Sequence, residues 1–70
     1  MHDDPLSVDI VTVLRQGPTF ARDLAHAVGA PLREVGEAVD GLVFAGQVYV
    51  AADGAGSNRL LALTPTGERT

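Results

Sequence analysis

Two arginines are the side chains best suited to recognising an anionic, planar partner. Arg33 lies near the start of a helical segment, where a guanidinium could take a guanine edge bidentately. A plain surface pair with Glu37, four residues on, accounts for it equally well. Gly36, Glu37 and Asp40 share the outward side of that segment and would complete the surface a DNA groove meets. Asn58 and Arg59 follow a glycine-rich turn, from which they could reach a phosphate or a minor groove, or else end a strand in solvent. Arg15 and Arg22 read as ordinary surface residues.

Other chemistry finds little support. Asp23 and His26 could supply two metal ligands, but no third lies near them, so a solvated surface histidine is the simpler account. His2 with the α-amino group offers only adventitious chelation. Gly54-Ala55-Gly56 falls between two strands, whereas phosphate-cradling glycine loops need a strand followed by a helix. Ser7, Ser57, the histidines and the aspartates form no nucleophile–base set on a rigid scaffold. No metal, no cofactor and no enzymatic activity are therefore expected.

What must position these groups is a chain of 70 residues, enough for one domain over 1–70 with a single small core. Apolar residues make up 46%, which suits a globular domain. Without cysteine, neither a disulfide nor a thiolate zinc site can help hold it together. No apolar run is long enough to span a membrane and no basic leader is present, so a cytoplasmic protein is expected. The net charge of −4 opposes long-range attraction to a nucleic acid.

Periodicity supplies the elements. A first helix is expected over about 4–15, capped by Asp3 or Asp4, with Leu6, Ile10, Val13 and Leu14 as its apolar stripe. Gln16-Gly17-Pro18 stops it. Thr19 then serves as the cap of a second helix over about 20–28, which turns Phe20, Leu24 and Val28 inward. A third helix over about 32–45 buries Leu32, Val35, Val39, Leu42 and Val43. After Gly46 the period drops to two, and a β-hairpin wing is expected over about 47–64. Its returning strand puts Leu61 and Leu63 on one side and Leu60 and Ala62 on the other. Phe44 falls off the helical stripe and Tyr49 alternates outward. With Leu60 and Ala62 they form the expected interface for a second copy of the chain or another protein.

Three helices followed by a hairpin is the order of a compact winged helix-turn-helix of the α+β class. Two helices crossing at roughly 90–120° need a short turn between them. Ala25 allows the close approach, Gly29 supplies the turn, and Val35 plugs the angle. The run Val35-x-x-Ala38-Val39-x-x-Leu42-x-x-x-Gly46-x-Val48, closing on Leu63-Thr64-Pro65-Thr66-Gly67-Glu68, resembles MarR-type bacterial regulators over about residues 6–67. The resemblance implies a DNA-binding transcription regulator, with helix three in the major groove and the wing on the flanking backbone or minor groove. It also implies dimerisation, which in that family uses helices before and after this core; the present sequence ends where the following helix would begin. Double-stranded DNA is thus the expected partner. Residues 30–46 carry Arg33 against Glu34, Glu37 and Asp40, a local charge of −2 that favours the rival expectation of an acidic protein-interaction module.

Overall fold

Pro5 lacks the amide that a first helical residue leaves unused, and it opens helix α1, Pro5–Leu14. The computed structural model describes residues 5–54, 56 and 58–66. The expected caps Asp3 and Asp4, the histidine at position 2 and the serine at position 57 lie outside the described residues. Ile10, Val11 and Leu14 are buried on α1, while Leu6 and Val13 only pack against the core edge. The buried arc is wider than one ridge because α1 touches both following helices, so Val11 joins it.

The segment after Gly17 departs from expectation. Thr19 and Phe20 form a short strand, β1, antiparallel to the last strand with Thr19 opposite Leu61 and Phe20 opposite Leu60. The Thr19 hydroxyl donates back to the Gly17 carbonyl at 3.1 Å, and the N-cap position of α2 falls to Phe20 instead. Helix α2 consequently starts one residue late, at Ala21–Val28, and Phe20 stands at its edge, partly exposed. A strand edge otherwise left unpaired gains hydrogen bonds this way, and β-favouring Thr and Phe suit the role.

Leu24 and Ala25 carry the inward side of α2, with Val28 half-buried. Gly29 ends the helix in the left-handed region at φ 69°, with its N–H donating to the Ala25 carbonyl. Helix α3, Leu32–Phe44, follows at once and buries Val35, Val39 and Leu42. Leu32 and Val43, expected on that stripe, are exposed instead. At roughly 100° per residue they fall on the rim of the arc centred on the other three.

Strands β2, Val48–Ala52, and β3, Leu60–Leu63, form the wing. Val48 faces Leu63, Tyr49 faces Ala62 and Val50 faces Leu61; the register then slips, so that Ala52 faces Leu60. The sheet therefore has three strands in the order β1-β3-β2, one more than the expected hairpin. β1 covers the second edge of β3 at Leu60 and Leu61, where Leu60 is half-buried; Ala62, paired with Tyr49 alone, is 5% exposed, and both depart from the expectation that they face outward. The Thr64 hydroxyl donates to the Gly46 carbonyl and the Thr64 amide to the Gln47 carbonyl, closing the base of the wing. Ile10, Leu24, Val35, Val39, Val48 and Leu61 form the centre of one core, and no charged or polar side chain is buried among the described residues.

Candidate nucleic-acid interface

The side of α3 turned away from the core is set by helical geometry. Arg33, Glu37, Asp40 and Phe44 recur at steps of four, three and four, opposite Val35, Val39 and Leu42. All four are exposed, and Phe44 is 95% exposed, the most open large apolar residue described. Gly36 sits on the flank of that side, with open space where a Cβ would stand. The alternative pairing of Arg33 with Glu37 does not form among the described residues. Arg33 is exposed at the first turn of the helix, with no ion pair to another described residue.

The wing reaches the same side through Arg59. Its Nη2 lies 3.7 Å from Asp40 Oδ1, with the side chains 38% and 72% exposed. A pair this open holds loosely, because water screens both charges. Its consequence is electrostatic: the carboxylate of Asp40 occupies the position beside Arg59 that a phosphate would need. Arg59 is brought to α3, yet partly neutralised there.

Asn58 is used differently from the expected contact. Its Oδ1 accepts the backbone N–H of Arg22 at 2.9 Å, a bond across 36 positions of sequence. The side chain is thus directed at the start of α2. The same bond ties the backbone of Arg22, which sequence alone marks as plain surface, to the turn end of the wing. No local pattern could have shown this, since the contact exists only when residues 22 and 58 are brought together by folding.

The candidate protein interface is reduced. Phe44 and Tyr49 are exposed and Leu60 is half-buried, but the burial of Ala62 removes it from the surface. Phe44 lines up with the α3 groups rather than with the sheet residues. Asp23 and His26 are exposed on α2, and no group of three or more metal-ligating side chains occurs among the described residues. No described helix is long and apolar enough to cross a membrane.

Neither a protein-family model nor a curated protein matches the sequence. Solved structures do. The adhesin competence repressor (AdcR) of Streptococcus pyogenes superposes with a TM-score of 0.83 at 21% identity, over 94% of this chain and 50% of that one. A MarR family regulator from Neisseria meningitidis gives 0.85 at 19% identity, over 96% and 49%. ZitR of Lactococcus lactis, as the C30AH42A mutant, gives 0.85 at 13% identity, over 99% and 48%. The fold is that of the MarR-type winged helix. The chain spans about half the length of the solved structures it matches. In this winged helix α2 and α3 make the helix-turn-helix, and β2 and β3 make the wing.

Proposed function

We propose that this winged helix is a DNA-binding transcriptional regulator or accessory factor, with α3 in the major groove and the wing on the flanking backbone. The observation that carries this is the joint presentation of two arginines. Arg33 is exposed in the first turn of α3, with no ion pair among the described residues, and Arg59 is drawn to the same side by Asp40. First-turn residues of a recognition helix are the ones that reach base edges, and an arginine there can take guanine O6 and N7 together. A role on DNA is exercised in the cytoplasm and needs neither cofactor nor catalysis.

A second reading has its own support. The exposed side of α3 also carries Glu34, Glu37, Asp40 and the fully open Phe44, which suits an acidic protein-interaction module that leaves DNA alone. Titration of labelled genomic fragments at about 50 mM salt separates the two, because electrostatic binding is strongest there. A shift at tens of micromolar protein, tightened by Glu37→Gln, supports the DNA reading. No shift for wild type or Glu37→Gln supports the protein-interaction reading instead.

A further inference from the structure

Helix α2 begins without a cap of its own. Phe20 stands at the N-cap position and offers no side-chain acceptor, although the first amides of a helix have no partner within it. Two of these amides are met from the wing. Ala21 N–H donates to the Arg59 carbonyl at 2.9 Å, and Arg22 N–H donates to Asn58 Oδ1 at 2.9 Å. From the opposite strand end Gly54 closes on the same spot. A Cβ there would collide with the Asn58 carbonyl and meet the Phe20 ring at 3.5 Å. The residue that follows Asn58 is Arg59, whose side chain reaches Asp40 on α3.

We propose that Asn58 is a positioning residue: by capping α2 from a distance, it locks the wing to the helix-turn-helix, so that Arg59 and α3 meet a duplex as one preformed surface. This rests on the DNA-binding reading. Asn58 has the chemistry for the task, since asparagine is among the best N-cap residues. Glycine at 54 is what lets the two strand ends close enough to aim it. Preforming the surface matters because each group ordered only on binding subtracts from affinity. A chain of net charge −4 has no long-range attraction to compensate for that loss.

Amide exchange at Ala21 and Arg22, read beside duplex titration of the whole chain, tests this. In Asn58→Ala the Arg22 amide should exchange faster and duplex affinity should fall about threefold to tenfold. The slope of log affinity against log salt should not change, because no charge is removed. Asn58→Asp retains a capping oxygen at a helix N-terminus, so the Arg22 amide should stay protected. Its affinity loss is purely electrostatic and should fade as salt is raised, whereas the alanine loss persists. Gly54→Ala should reproduce the alanine phenotype with both side chains intact. Should Asn58→Ala fail to fold, the contrast between Asn58→Asp and Gly54→Ala on the same two readouts decides the matter. A wild type that binds duplex no better than Asn58→Ala, with the Arg22 amide deprotected in the variant, overturns the positioning role and leaves the DNA reading standing. A wild type that binds no duplex overturns both.

Discussion

On the DNA-binding reading, the Asp40 carboxylate, 3.7 Å from Arg59, competes with a phosphate for that guanidinium. Asp40→Asn removes that competitor and one unit of negative charge from the exposed side of α3. Non-specific duplex affinity at about 50 mM salt should rise, and the slope of log affinity against log salt should steepen by up to about 0.9, the increment for one further phosphate neutralised. Fluorescence anisotropy across a salt series checks this; a variant indistinguishable from wild type shows that Arg59 takes no phosphate. The two arginines should then differ in kind. Arg59→Ala should weaken binding to all sequences alike, because a backbone contact carries no base information. Arg33→Ala should relax preference at one base position by about 1–3 kcal/mol, measured by competition among single-base variants of a bound site.

Among the elements, the angle between α2 and α3 depends on a tight turn and on the residues beneath it. Gly29 holds φ 69°, a region that costs a side chain about 1 kcal/mol or more, so Gly29→Ala should lower stability by that amount despite the open space around it. Leu24 is fully buried and Leu42 8% exposed, both within the core shared by α1, α2 and α3. Leu24→Ala and Leu42→Ala should each cost about 2–5 kcal/mol. A domain this small has on the order of 5 kcal/mol in total, so either change brings it close to unfolding at ambient temperature. Val28, only half-buried, should cost less when truncated. Thermal melts of the three variants rank them, and a Val28→Ala more damaging than Leu24→Ala would contradict the packing described.

For the molecule as a whole, a single winged helix touches few base pairs, and two-fold symmetry is the usual way to double the site. The exposed Tyr49, with the half-buried Leu60 on the same sheet, is the group on which such self-association would rest. Sedimentation at tens of micromolar should show a dimer, and Tyr49→Glu should return it to monomer; a monomeric wild type at that concentration removes these residues from the argument. The dimer would offer about four arginines to DNA, two each of Arg33 and Arg59. Its salt slope should therefore be shallow, about −2 to −4, since each phosphate neutralised contributes roughly −0.9. Arg22, whose amide is bonded to Asn58 at the turn end of the wing, adds to this if its side chain also reaches the backbone, and Arg22→Ala with an unchanged slope would show that it does not.

Much of this fold is legible without coordinates because short-range rules govern it. The stripe Val35, Val39 and Leu42, the stop at Gly17, the turn at Gly29 and the alternation after Gly46 each follow from periodicity or from the backbone freedom of one residue type. The placement of Arg33, Glu37 and Asp40 on one open side is likewise a matter of 3.6 residues per turn. Thr19 and Phe20 show where such rules end. Locally they read as a cap and a first helical residue, yet they pair with Leu61 and Leu60 because a strand edge some 40 positions away supplies partners. Leu60 is half-buried for the same reason, since at that position β3 has a strand neighbour on each side. Asn58 and Arg59 are the sharpest case: their residue types announce polar contacts, but only the fold decides that one caps α2 and the other meets Asp40. Periodicity is a property of residues a few positions apart. Strand partners, remote caps and ion pairs are chosen among groups that come within reach of one another only after the chain has collapsed around Ile10, Leu24, Val35 and Leu61.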